Sequence, residues 1–182
     1  MNSNTIYLIV GRSGSGKTTI AEELEKKYGL KSIQSYTTRH KRSDNETGHI
    51  FISDEEFDKL TNMVAYTEFG FPPYRYCATA EQVENHDLYI IDPKGIEYFK
   101  EHYKGNKSIK VIYINVSVSV ARERMRERGT STKQAFNRIS NDIVAFYDYV
   151  HGIKTADYTI DNNNITLEEA TEKIYKYITE GE

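Results

Sequence analysis

The chain of 182 residues has the length of one domain and leaves no room for two full ones. It carries 24 Lys and Arg against 27 Asp and Glu, a net charge of −3, which argues against a dedicated nucleic-acid binder. One cysteine, Cys77, excludes an internal disulfide and any cysteine-built metal site, and no apolar run approaches bilayer length. Met1-Asn2-Ser3-Asn4 lacks the basic start and apolar stretch of a signal peptide, so the expectation is a soluble, cytoplasmic protein with no membrane or nucleic-acid partner. Residues 5–10 form an apolar run that reads as a buried strand, and 18–28 a helix with Ile20, Ala21 and Leu24 on one face and Gly29 as its stop. A second strand is expected over 31–36, a polar loop over 37–48 and a strand over 49–52. Ser53-Asp54-Glu55-Glu56 fits a capping box that opens a helix to about Leu60. Residues 63–69 read as a strand, and Gly70-Phe71-Pro72-Pro73 as a turn, because two prolines cannot donate to a ladder. Thr79-Ala80-Glu81-Gln82 is a second capping box, and no element is assigned to 74–78.

Residues 88–91 predict another buried strand, closed by Asp92-Pro93, with a helix over 93–103. A strand over 109–116 and a helix over 118–128 follow, the helix ended by Gly129. Ser131 caps a longer helix running towards Val150. A short strand at 158–160 precedes a helix capped by Thr166, with Ala170, Ile174 and Ile178 facing inward. Strands alternating with helices at both ends of the chain predict an α/β fold with a parallel sheet covered by helices. The strand-rich segment over about 34–80 looks like a small inserted lobe.

Gly11-Arg12-Ser13-Gly14-Ser15-Gly16-Lys17-Thr18 matches G-x-x-x-x-G-K-[ST], between a buried strand and an amphipathic helix. Glycines let successive N–H groups point into one concavity, and the positive end of the following helix adds to the field. Lys17 supplies a full charge for the β- and γ-phosphates, and the Thr18 hydroxyl can hold Mg²⁺. The loop, with Thr19 beside it, therefore predicts a nucleoside triphosphate as a ligand and Mg²⁺ as its companion ion. A guanine-reading N-K-x-D motif is absent: the one Asn-Lys pair, Asn106-Lys107, is followed by Ser108 and Ile109.

Four further segments keep one order along the chain. Ser35-Tyr36-Thr37-Thr38-Arg39, with Arg42 three residues on, resembles the S-x-T-T-R-x-x-R segment of guanylate kinases. Ile91-Asp92-Pro93-Lys94-Gly95 resembles their I-D-x-Q-G, Arg124-Met125-Arg126-Glu127-Arg128-Gly129 the R-L-x-x-R-G of their lid, and Asp161-Asn162-Asn163 the loop near the adenine. Arg138 falls where a further lid arginine is expected. The resemblance implies a P-loop nucleoside monophosphate kinase that moves the γ-phosphoryl group of ATP to GMP or dGMP. It implies one domain, with a core over 1–33, 81–121 and 141–182, an acceptor lobe over about 34–80 and a lid over about 122–140. Ser35, Arg39, Arg42, Glu46, Glu68, Tyr76 and Asp92 are then expected on the acceptor, and Arg124, Arg128 and Arg138 on the transferring group. Asp92 is expected beside Thr18 at the metal, and Asn162 on the nucleotide. Closure of the three parts would exclude water. A monomer or a homodimer is compatible with these residues.

From charge alone, Arg39, Lys41 and Arg42 make a +3 cluster suited to an acceptor phosphate, since arginine offers paired donors. Six bases between Arg122 and Arg138 cannot all reach one ligand, and helix pairs with Glu123 or Glu127 are expected to absorb at least two. The acceptor half departs from the family pattern. Ser43-Asp44-Asn45-Glu46 replaces P-G-E, Ile50 is read at a tyrosine position, and Ala65 and Ala78 at glutamate and serine positions. Two other readings therefore stay open: a kinase of a ribose phosphate, or a non-catalytic module that binds phosphopeptides.

Overall fold

The computed structural model describes residues 4–41, 44, 46–70 and 72–180. In chain order the elements are β1 (Thr5–Val10), α1 (Lys17–Tyr28), β2 (Ser35–Thr37), β3 (His49–Phe51), α2 (Asp54–Phe57), β4 (Met63–Phe69), β5 (Tyr74–Thr79), α3 (Ala80–Asn85), β6 (Leu88–Ile90), α4 (Pro93–His102), β7 (Ser108–Asn115), α5 (Val118–Glu127), α6 (Thr132–Ala145), α7 (Tyr147–Val150), β8 (Tyr158–Asp161) and α8 (Leu167–Glu180). The first sheet has the order β6-β1-β7-β8 and is parallel throughout. The fold is α/β, as the alternation of strands and helices predicts.

Both faces of this sheet are covered, which is why its strands read as continuous apolar runs. Ile6, Leu8 and Val10 of β1 and Val111 and Tyr113 of β7 point to one core with Phe99, Ile96 and Tyr103. Tyr7, Ile9, Ile112 and Ile114 point to the other, against Ile20 and Leu24 of α1 and Ala170, Ile174 and Ile178 of α8. Full burial of one such aliphatic side chain contributes about 1.5–3 kcal/mol. The helix starts are held as their sequences indicate. Ser53 with Glu56 and Thr79 with Gln82 close both capping boxes, and Thr166 and Glu169 exchange the same pair of bonds.

The second sheet has the order β3-β2-β5-β4, with β2–β3 parallel and the other two pairs antiparallel. β5 is the strand that sequence periodicity missed. Its alternation is masked because both faces carry large side chains, Tyr74 and Tyr76 on one and Arg75 on the other. The helix expected to run towards Val150 breaks at Phe146, whose buried ring serves the first core. α5 and α6 form their own small core, with Ala121, Met125, Ala135 and Ile139 buried between them.

Ile112 lies at the centre of the parallel sheet and is fully buried. Ile112→Ala is expected to lower unfolding free energy by about 2–5 kcal/mol, read by chemical denaturation; a change under about 1 kcal/mol would contradict this packing.

Candidate functional site

The 11–18 loop leaves β1 at its carboxyl edge, and the neighbouring parallel strand β6 delivers Asp92 to the same edge. This is where ligands gather in open α/β sheets. Gly16 is the N-cap of α1 at φ +97°, and no side chain caps the helix start. Gly14, at φ +76°, lies so close to α5 that a Cβ would fall 2.7 Å from the Ala121 carbonyl oxygen. The uncapped amides and helix dipole fit an anion. A carboxylate already sits on the loop: the Ser13 amide donates to Asp142 Oδ2 at 2.7 Å.

Lys17 folds back over the loop, its Nζ donating to the carbonyls of Gly11 at 2.6 Å and Arg12 at 3.0 Å. Burial pushes this ammonium down to about 8; Asp142 opposes the fall and Arg128 adds to it. Arg124 joins the group by donating to the Asn162 carbonyl at 2.8 Å and towards the Gly14 carbonyl at 3.5 Å. Burial, then repulsion from Arg128, lowers its guanidinium from its ordinary value. Asn162 is buried and donates to the Ser15 carbonyl at 2.8 Å, so it braces the loop from within. Ser15 is buried too, and the Arg12 guanidinium donates to the Val116 carbonyl at 3.3 Å. Thr18 is exposed and Thr19 half-buried at the first turn of α1. Arg128 is exposed at the end of α5. Arg138 lies one turn before Asp142 on the same face of α6. Arg126, by contrast, is taken by Glu123.

The acceptor candidates gather on one face of the second sheet. Register pairs Ser35 with His49, Thr37 with both Phe51 and Tyr76, Tyr76 with Thr67, and Ala78 with Ala65. Arg39 is buried and fully engaged. Its Nε donates to the Tyr76 hydroxyl at 3.1 Å, Nη1 to the His40 carbonyl, and Nη1 and Nη2 to the Glu46 carboxylate at 3.2 and 2.7 Å. Burial alone would lower this guanidinium; Glu46 and Tyr76 outweigh it and leave it raised. Arg42 lies outside the described residues.

The expectation for Glu68 is corrected. It stands opposite Arg75 and accepts from the Tyr66 hydroxyl, on the sheet face away from Ser35 and Tyr76. Strand alternation allows Ala65, not Glu68, on the acceptor side. The reading of Ile50 changes as well. Ile50 pairs with Tyr36 on the far face, and His49 is the β3 residue that faces Ser35. Asp92 caps α4, its Oδ1 accepting from the amides of Lys94 and Gly95 at 2.9 and 3.0 Å. Burial drives the Tyr89 phenol upward, the Asp92 charge adds to that, and Ser35 opposes it.

Sequence reading missed Asp142, His49 and Tyr89. Asp142 had a signal, its i+4 spacing from Arg138, and His49 had one in its i−2 spacing from Phe51. Tyr89 is one of 15 tyrosines and had none. Among the described residues no three His, Cys, Asp or Glu side chains converge as a metal-binding set, and no helix is long and apolar enough to cross a membrane.

Comparison with known proteins agrees with this geometry. The family model described as guanylate kinase matches residues 3–181. The chain belongs to the guanylate kinase family. It is thus a phosphotransferase of the nucleoside monophosphate kinase type. A guanylate kinase from Carboxydothermus hydrogenoformans is 27% identical over 205 residues, covering 100% of this chain and 98% of that protein. One from Helicobacter pylori is 26% identical over 174 residues, covering 90% and 82%. The crystal structure of guanylate kinase from Anaplasma phagocytophilum superimposes with a TM-score of 0.62 at 20% identity, covering 100% of this chain and 87% of that one, and it shows the same fold.

The lowered Lys17 gives a pH prediction. The ammonium is present below pH 8 and lost above it in the free protein. ATP affinity is therefore expected to be level up to about pH 8 and to weaken above it, with proton uptake on binding. Calorimetry in buffers of different ionisation enthalpy checks this; level affinity and no proton uptake at pH 9 would refute it.

Proposed function

We propose that the protein transfers the γ-phosphoryl group of ATP to GMP or dGMP, giving ADP and GDP or dGDP. The observation that carries the reading is the shared edge. β1 leads into the anion loop, its parallel neighbour β6 leads into Asp92, and Tyr89 of β6 shares a buried core with Ala78 of the second sheet. Two phosphate-bearing molecules held at these places meet head to head.

In this reading the loop amides and Lys17 hold the phosphates of ATP, and Asn162 keeps the loop in shape beside the adenosine. Thr18, with Asp92 across the edge, would hold Mg²⁺, which supplies charge neutralisation between the phosphates. Arg39 exchanges part of its pairing with Glu46 for the acceptor phosphate, and Tyr76 and Ser35 line the same face. The segment over about 34–80 is the acceptor lobe and 122–140 the lid, the latter favoured by the small separate core of α5 and α6. Arg124, Arg128 and Arg138 meet the charge that develops as an acceptor oxygen bonds to the γ-phosphorus and the bond to ADP breaks. Positioning and charge stabilisation suffice for this chemistry.

One observation favours a second acceptor. Ala65 and Ala78 pair side by side, so these two positions bring no polar side chain to a base. A ribose phosphate needs no base contact. ADP release coupled to a panel of GMP, dGMP, AMP and ribose phosphates tests both: turnover with GMP or dGMP is expected, and turnover with a sugar phosphate alone overturns the nucleotide reading.

Arg128→Ala is expected to lower kcat by about 10³-fold while changing ATP affinity by less than tenfold. Equal losses in steady-state kinetics and equilibrium binding would remove Arg128 from the transfer step.

A further inference from the structure

Among the described residues, the side chains that brace the glycine loop do so through its carbonyls, with one exception. Lys17 Nζ donates to the carbonyls of Gly11 and Arg12, Asn162 to that of Ser15, and Arg124 reaches towards that of Gly14. Such bonds leave the loop's N–H groups open to an anion. Asp142 of α6 is the exception. Its Oδ2 takes the N–H of Ser13 at 2.7 Å, across 129 residues of chain. This bond is of the kind that a phosphate oxygen makes with such a loop.

The crevice that holds the contact lies between the loop and the helices α5 and α6. Arg12, Ala121, Ile139 and Asp142 line it, and Ala121 and Ile139 belong to the small core that joins the two helices. Arg12 adds an unpaired donor: its Nε is buried and has no hydrogen-bond partner among the described residues, while its Nη1 donates to the Val116 carbonyl. A carboxylate that leaves the Ser13 amide therefore has an unpaired guanidinium nitrogen in the same crevice and is not stranded.

We propose that Asp142 is an internal competitor of ATP: it occupies the Ser13 amide in the free protein and must yield it to a phosphate when ATP binds. The contact is autoinhibitory and sets ATP affinity without touching the transferring group. This deepens the kinase reading given above and rests on it for the identity of the nucleotide. Population arithmetic fixes the sign of the effect. Apparent affinity is reduced by the fraction of loops that the carboxylate leaves free, so removing Asp142 raises it. A static brace would do the opposite, since its loss would disorder the loop and weaken ATP binding. The contact also ties α6 to the nucleotide. Arg138 lies one turn before Asp142 on the same face, so the helix that carries this arginine is tethered to an empty loop and released from it by ATP.

The test is calorimetric titration of ATP with Mg²⁺, and with no acceptor present, into wild type, Asp142→Ala and Asp142→Asn at about pH 6.5, below the Lys17 transition near pH 8. Asp142→Ala is expected to bind ATP about tenfold more tightly than wild type. Asp142→Asn is expected to gain less, because its amide oxygen keeps a weaker bond to the Ser13 N–H. Equal gains in the two variants would be the effect of charge at a distance and would overturn the proposal. The Ser13 amide proton gives a second measurement. Its NMR resonance is expected to differ between wild type and Asp142→Ala in the free proteins and to coincide at saturating ATP; a difference that persists with ATP bound keeps Asp142 on the loop and rules the competition out. Unchanged or weaker ATP binding by both variants rules it out as well, and the kinase reading stands if GMP is still phosphorylated. Tighter binding by Asp142→Ala in a protein that phosphorylates no acceptor leaves the competitor in place and removes the kinase reading. If none of the three proteins binds ATP, both fall together.

Discussion

Two concentrations of positive charge have to exist before any phosphate arrives, and the fold meets this constraint with internal carboxylates. At the glycine loop Asp142 takes the Ser13 amide and offsets the field that burial and Arg128 impose on Lys17. At the second sheet Glu46 takes two guanidinium bonds from Arg39. Each cationic site is thereby neutralised in part and held in shape. A buried, unpaired guanidinium would cost several kcal/mol, far more than a surface ion pair returns. The same pairing sets the terms of binding: a phosphate must outcompete a carboxylate, which its greater charge and additional acceptor oxygens allow.

The parallel sheet provides the geometry that these charges need. Strands about 4.8 Å apart carry the glycine loop and Asp92 to one edge, and neither position depends on a long loop. The second sheet is joined to the first through a common buried core rather than through a shared ladder: Val64, Ala65 and Ala78 pack with Ile6, Leu8, Tyr89, Ile96 and Phe99. Each sheet keeps its own ladder, and the junction between them is side-chain packing. α5 and α6 repeat the pattern on the other side, with a small core of their own. Motion between such parts fits a reaction that must admit two anions and then exclude water.

Much of this was legible in the chain, and the limits have physical causes. β1, β6 and β7 are buried on both faces, so their composition announces them without help from periodicity. Caps at Ser53, Thr79, Asp92, Ser131 and Thr166 are local and obey local rules. The second sheet was harder. Its strands are short, β5 hides its alternation, and register there decides which side chains meet. A shift of one residue exchanges Ile50 for His49 and Glu68 for Thr67 or Phe69 on a given face of the sheet. Family resemblance located the segment; only pairing identified the facing residues. Asp142 illustrates the other limit, since its partner Ser13 is 129 residues away.

The two halves of the site differ in how they depart from the family pattern, and the difference has an energetic logic. The loop and Arg124, which would act on ATP, are intact, and phosphoryl transfer tolerates little change there because charge and position carry nearly all of it. In the acceptor half, Ala65 and Ala78 are read where the family pattern has a glutamate and a serine, and neither side chain can hydrogen-bond a base. Losing a hydrogen bond to a base costs about 1–3 kcal/mol in discrimination. Such a loss would leave recognition to the phosphate, whose charge the arginines meet without regard to the base. It would widen the range of acceptors while the reaction carried out on the bound acceptor stays unaltered.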